Sequence, residues 1–195
     1  MPQFRLVVVP LAAVLSLGAG CAADPPAAQT PPAVATGAAS SDFGGTDIAW
    51  VQLMIPMDEQ LLPVLDLVRQ RSADPALVGL AETLRSRYTS EIEQLKALRA
   101  RAGLDASNPH AGHRMPGLVD ADTLAAIGGA GGGEFERQVA ECLRTHLGQL
   151  ASLARSEVTN GTSAAVKDLA RQVEASRTAG LAKLPAGSPS GAAVP

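Results

Sequence analysis

The second half of this chain repeats the first. Asp47-x-x-Trp50 and Glu136-x-x-Val139 stand 89 positions apart, and the same shift carries Leu53 onto Cys142, Met54 onto Leu143, Met57 onto His146 and Leu61 onto Leu150 without a gap. It continues through Val64 and Leu153, Leu77 and Val166, Leu80-Ala81 and Leu169-Ala170, Leu84 and Val173, and Leu95 and Leu184. An apolar pattern that stays in register over about fifty residues implies one supersecondary unit used twice, with any site expected where the copies meet. The polar positions diverge: Asp58 falls on Leu147, and Glu91 falls on Gly180.

The period of that pattern is helical. In the first copy Trp50, Leu53, Met54, Met57, Leu61, Val64, Leu65 and Val68 recur at three and four, one stripe of an amphipathic helix. Pro56 and Pro63 interrupt it, and each removes a backbone hydrogen bond, so a kink or an early helix end is expected there. Asp74 reads as an N-cap before Pro75, opening a second helix that runs to Ala102 with Gly103 as its stop. A long connector from Leu104 to Gly133 holds a short helix over about 120–127 and a run of glycines. A helix through Phe135, Val139, Cys142, His146 and Leu150 follows, then a turn at Asn160-Gly161 and a last helix capped by Ser163. One Trp, one Tyr and three Phe, with Ala and Leu abundant, favour helix over strand. The expected fold class is all-α: a four-helix bundle of two repeated helical hairpins, ferritin-like in arrangement.

The ends of the chain have a different character. Arg5, an apolar run from Leu6 to Leu17 and Gly18-Ala19-Gly20 describe an export signal over residues 1–20. The run is shorter than the roughly 20 apolar residues of a membrane-spanning helix. Cys21 directly after the small residues resembles the lipidated cysteine of bacterial lipoproteins, so a lipid anchor in the cell membrane on the extracytoplasmic side is expected. Residues 21–46 and 185–195 carry almost no large side chains and read as a disordered tether and tail around a 47–184 domain. A net charge of −3 without a basic stripe argues against a nucleic-acid partner. With Cys21 lipidated, Cys142 has no intramolecular partner, and helix packing alone must supply the core.

Position by position, the domain resembles the bacterial family called domain of unknown function 305. Each copy in that family reads Asp-x-x-Phe-x-x-x-Met-Ile-x-His-His, then Gln-x-x-Glu-Ile-x-x-Met. Here the first copy reads Asp47-x-x-Trp50-x-x-x-Met54-Ile55-Pro56-Met57-Asp58, then Tyr88-x-x-Glu91-Ile92-x-x-Leu95. The second reads Glu136-x-x-Val139-x-x-x-Leu143-Arg144-Thr145-His146-Leu147, then Arg177-x-x-Gly180-Leu181-x-x-Leu184. Between them, His113-Arg114-Met115-Pro116-Gly117 is similar to the family's His, Met, Pro and Gly linker. The resemblance implies an exported ferritin-like bundle from a family with copper-linked members. Of the four paired family histidines only His146 stands here, both Gln positions are replaced, by Tyr88 and Arg177, and the second Glu is Gly180. The resemblance thus implies a retained fold and a depleted metal site.

Two readings of the remaining candidate ligands stay open. Cys142 and His146 lie four apart on one helix face, and Met57, the repeat mate of His146, is expected to face it, with Met54 one turn earlier. Thiolate, thioether and imidazole together suit Cu(I). Glu91, and His110, His113 and Met115 in the connector, complete the candidate set. The competing assignment makes Cys142, Met54 and Met57 core fillers, His146 a packed core or rim histidine, Glu91 a capping or surface residue, and the connector residues a solvated loop. No nucleophile with an adjacent base and no paired catalytic carboxylates are visible, so a non-enzymatic binding or structural role in the envelope is expected. Its protein partner and oligomeric state are not written in the sequence.

Overall fold

The computed structural model describes residues 42–112 and 114–184. The expected signal segment, Cys21, most of the tether, the tail and His113 lie outside the described residues. Five α-helices follow one another: α1 (Gly45–Arg71), α2 (Pro75–Arg101), α3 (Ala121–Gly129), α4 (Gly132–Asn160) and α5 (Ala164–Leu181). There is no strand among the described residues. The fold is the expected all-α bundle: α1 packs along α2, α4 along α5, and α1–α4 and α2–α5 contacts join the two hairpins. The short α3 lies against α1 and α4.

Local chemistry accounts for most boundaries. Asp74 accepts hydrogen bonds from the Ala76 and Leu77 N–H groups at 2.8 and 3.4 Å, and Pro75 occupies the first helical position. At the far end Gly103 adopts φ +71°, and its N–H and that of Leu104 bond back to Ala100 and Arg99. That is a left-handed turn closing two orphan carbonyls. Asp120 caps α3 by accepting from the Thr123 N–H at 2.8 Å. Arg71 at the end of α1 donates to the Gly128 and Ala130 carbonyls at 2.7 and 2.5 Å and stacks over the Phe135 ring, so the glycine run is anchored to the first hairpin.

Three boundary expectations need correction. The early end expected at Pro56 or Pro63 does not occur, because the carbonyls deprived of a donor belong to half-buried Gln52 and exposed Glu59, within reach of water. The first helix also begins at Gly45, inside the segment read as tether. Ser163 does stand at the N-cap of α5, but its hydroxyl makes no capping bond.

What holds that turn instead is a side chain from the other hairpin. Asp47, near the start of α1, accepts the Thr162 and Ser163 N–H groups at 3.1 and 3.0 Å. Its repeat mate Glu136, near the start of α4, accepts the Ser72 hydroxyl at 3.0 Å and the Ala73 N–H at 3.1 Å in the α1–α2 turn. The acid that opens each copy therefore satisfies the turn of the other copy. Trp50 and Val139, the mates three residues on, are both buried, as the repeat requires.

The core runs the length of the bundle through Met54, Met57, Leu61, Leu65, Leu84, Leu95, Leu143 and Leu150, all essentially without solvent contact. Enclosed within it are charged and polar side chains: Asp58, Glu91, His146 and Arg177, with Tyr88 among them.

Candidate functional site

Three pairs of repeat mates build the polar centre. Tyr88 from α2 and Arg177 from α5 stack, with the guanidinium carbon 3.9 Å from the ring centroid. The Arg177 Nη2 group donates to Glu91 Oε1 at 2.6 Å and to Asp58 Oδ1 at 3.2 Å, so one nitrogen bridges two carboxyl groups. Arg177 and Asp58 are fully excluded from solvent, and Glu91 is 6% exposed. At the mate positions Leu147 replaces Asp58 and Gly180 replaces Glu91. There a Cβ on Gly180 would meet Leu147 Cδ1 at 3.1 Å. One copy thus places a pair of carboxyls where the other places a leucine against a glycine.

The charges of this cluster follow from its burial. Burial, then the neighbouring Glu91 carboxylate, push Asp58 well above the usual carboxylate range against the pull of Arg177. Burial works against the Arg177 charge, but Tyr88, Glu91 and Asp58 outweigh it and hold the guanidinium firmly protonated. Burial likewise raises the Tyr88 hydroxyl well above its ordinary range. A protonated Asp58 beside the Arg177–Glu91 salt bridge leaves the centre neutral, the arrangement a water-free interior favours.

His146 sits next to this cluster, its ring 5.7 Å from that of Tyr88. Its Nδ1 lies 2.6 Å from the Gly117 carbonyl, which only accepts, so Nδ1 carries the proton and Nε2 a bare lone pair. Among the described residues Nε2 has no hydrogen-bond partner. Burial, helped by the Arg177 charge and opposed by the Gly117 bond, lowers the imidazole to about 3. Gly117 reaches His146 because it has φ +81° and no side chain: a Cβ there would stand 2.8 Å from Gln149 Cβ and 3.3 Å from the His146 Cα. The glycine of the linker motif thus has a concrete task, holding the connector against α4.

The other sequence candidates are distributed differently. Met54 and Met57 are fully buried in the core. Cys142 is half-buried and lines a groove of about 380 Å³ with Leu118, Val119, Ile127 and Thr145, and burial pushes its thiol up to about 11. Met115 is half-buried and packs on the core, while half-buried His110 lies in the connector with its N–H bonded to Asn108 Oδ1 at 2.9 Å. Glu91 is neither a cap nor a surface residue; the buried Arg177 claims it, correcting that part of the packing assignment. Asp58 and Arg177 were absent from the candidate list. Their signal was opposite charges on the inward stripes of α1 and α5, beside Met57 and one turn beyond Val173.

The copper that the family resemblance implies does not fit this centre. A cation already stands between the two carboxyls, as part of the chain. Among the described residues no three His, Cys, Asp or Glu side chains are placed to hold a metal ion, whereas a stable site needs three or four converging ligands.

Comparisons with known proteins agree with this architecture. A fragment of domain of unknown function 305 from Deinococcus radiodurans superposes with a TM-score of 0.65 at 18% identity, covering 73% of this chain and 94% of that one. CopM in its Cu(I)-bound form gives 0.61 at 19% identity, over 72% of this chain and 94% of its own. A Streptomyces coelicolor protein with the same domain, described as secreted, gives 0.63 at 19% identity, over 71% and 89% of the two chains. Among curated proteins there is no significant match. The family model for domain of unknown function 305 (DUF305) matches residues 47–186, nearly all of the helical domain. The chain belongs to the DUF305 family.

Proposed function

We propose that this protein is an exported, lipid-anchored bundle of the cell envelope with a binding or structural role and no enzymatic activity. The observation that carries this reading is Arg177: a resident guanidinium, shielded from water, takes the place between Asp58 and Glu91 that a bound cation would need. Arg5, the short apolar run and Gly20-Cys21 support the anchor, and the relative described as secreted supports export. No described helix is long and apolar enough to cross a membrane. Replacing Cys21 with Ser is expected to move the protein from the membrane fraction to the soluble exported fraction. A variant that stays membrane-bound, with no acyl group on the wild type, refutes the anchor.

The second reading is copper capture by a reduced Cys, His and Met set. It is favoured by the neutral His146 with its bare Nε2 lone pair and by the CopM structures holding Cu(I), Cu(II) and Ag. Metal analysis after exposure of the purified protein to Cu(I), Cu(II) and Zn(II) separates the two readings. Substoichiometric uptake, unchanged in Cys142→Ser/His146→Ala and lowered when His110, His113 and Met115 are replaced together, is expected. A tight one-to-one Cu(I) complex abolished by Cys142→Ser/His146→Ala establishes the second reading instead.

A further inference from the structure

A second pair of carboxyls lies far from the polar centre, at the end of the bundle where α1 begins. Asp47 is fully shielded, and Glu157, near the end of α4, is 1% exposed. Asp47 accepts from three backbone donors. Its Oδ2 accepts the Gly44 N–H at 2.6 Å, and its two oxygens share the Thr162 and Ser163 N–H groups at 3.0 to 3.2 Å. Among the described residues Glu157 has no such donors; neither carboxyl oxygen has an N–H or hydroxyl partner there. The Asp47 carboxyl stands beside it against the same turn, placed for a carboxyl–carboxyl hydrogen bond, and Lys167 faces it from α5. Two carboxyl groups make that bond only if one carries a proton; the three N–H donors favour the ionised form of Asp47, so the proton resides on Glu157 and its O–H donates to a lone pair that Asp47 keeps free. The local backbone is shaped to seat this group. A Cβ on Gly161 would overlap Glu157 Oε1, and a Cβ on Gly44 would come within 2.7 Å of Thr162 Oγ1.

We propose that the proton shared by Glu157 and Asp47 is the bolt of a latch fastening the start of α1 to the α4–α5 turn, and that the latch opens as this proton is lost. Two charged groups face Glu157: the Asp47 carboxylate from α1 and the Lys167 ammonium from α5. Burial, the hydrogen bond to Asp47 and its charge together raise Glu157 to about 8, and Lys167 opposes them. Burial disfavours ionised Asp47, but the bond from Glu157 and the three N–H donors outweigh it and hold that carboxyl below its usual range. The sign follows. With Glu157 raised in the closed state and ordinary in the open state, its contribution to the latch is complete below about pH 4.5 and is lost as pH climbs through about 8. Above that, two adjacent carboxylates share a dry site and repel. The segment set free is the entry to the domain, where the chain N-terminal to Gly44 joins it.

Amide hydrogen exchange of the full chain between pH 5 and pH 9, expressed as protection relative to the intrinsic rate, reads the latch directly. Protection at Gly44, Thr162 and Ser163 is expected to fall at least tenfold between pH 6 and pH 9. At Ala76 and Leu77, under the Asp74 cap, it is expected to stay constant. Glu157→Gln, which keeps the shape and gives Asp47 a permanent donor, is expected to flatten the profile. Constant wild-type protection, or a Glu157→Gln variant with the wild-type fall, overturns the proposal. So does a carbon-13 carboxyl titration of Glu157 in the wild type with a midpoint near 4.5 rather than 8, a measurement that needs no variant to fold.

Discussion

Replacing Arg177 with Met removes a cation from a place water does not reach. The side chain makes two charge-assisted bonds from Nη2, at 2.6 Å to Glu91 and 3.2 Å to Asp58, and lies 3.9 Å over Tyr88. Bonds to charged groups contribute about 1.5–3 kcal/mol each, and a desolvated cation–π contact about 2. Those gross terms are offset in part because Asp58, held well above the usual carboxylate range, leaves no full charge behind. Breaking a buried ionic set by removing one partner has a net cost of about 3–5 kcal/mol. For a domain of this size that lowers the melting temperature by about 10–20 °C. The companion variant removes all three groups: Asp58→Leu, Glu91→Ala and Arg177→Met together. It carries no unpaired buried charge, and its first substitution copies the leucine already present at the mate position. Its stability is expected within about 1 kcal/mol of wild type, since apolar replacement of a whole buried ionic set is often neutral or stabilising. Urea unfolding followed by far-ultraviolet circular dichroism measures both. A single variant that costs less than about 1 kcal/mol, or a triple variant as unstable as the single, refutes the claim that the cluster acts as one neutral unit.

Two more outcomes are open to direct measurement. Gly117→Ala puts a side chain at φ +81° and against Gln149, and is expected to cost about 2–3 kcal/mol in urea unfolding while loosening the connector from His146; a change below about 0.5 kcal/mol contradicts that role. His146 is held neutral, with its folded value depressed to about 3 from 6.5, so the stability it contributes is complete above pH 6.5 and is lost as pH falls toward 3. A His146→Leu variant is therefore expected to lose stability less steeply than wild type between pH 6.5 and pH 4, by up to about 1.4 kcal/mol per pH unit, and parallel curves exclude the assignment.

What the sequence makes legible here is local or periodic. The stripe of α1, the Asp74 cap and the Gly103 stop depend on residues within a few positions of one another, and each stands where the pattern places it. The duplication was legible because an apolar repeat in register implies a shared backbone. The polar centre was not, since Asp58 and Arg177 are 119 positions apart and neither shows its partner when read alone. Glu91 was misassigned for the same reason: its partner stands on another helix, 86 positions distant. Asp47 has a plain local role, accepting the Gly44 N–H, which hides its larger task 115 positions on, at Thr162. Pro56 and Pro63 misled because propensity counts the lost bonds and not the water that replaces them.

The uneven centre also governs which halves of such chains recognise each other. Both hairpins share a backbone plan and both carry an acid able to seat a foreign turn, so on shape alone two first halves from different chains would pair as readily as the native couple. Charge prevents it. Two first halves would confine four carboxyls with no guanidinium, and two second halves would confine a pair of guanidinium groups with no carboxyl. Only a first half against a second half brings the protonated Asp58, Glu91 and Arg177 to zero. In charge the chain is laid out as a heterodimer whose two subunits are tethered in one polypeptide, the two carboxyls of the first half, Asp58 and Glu91, answering the one arginine of the second, Arg177.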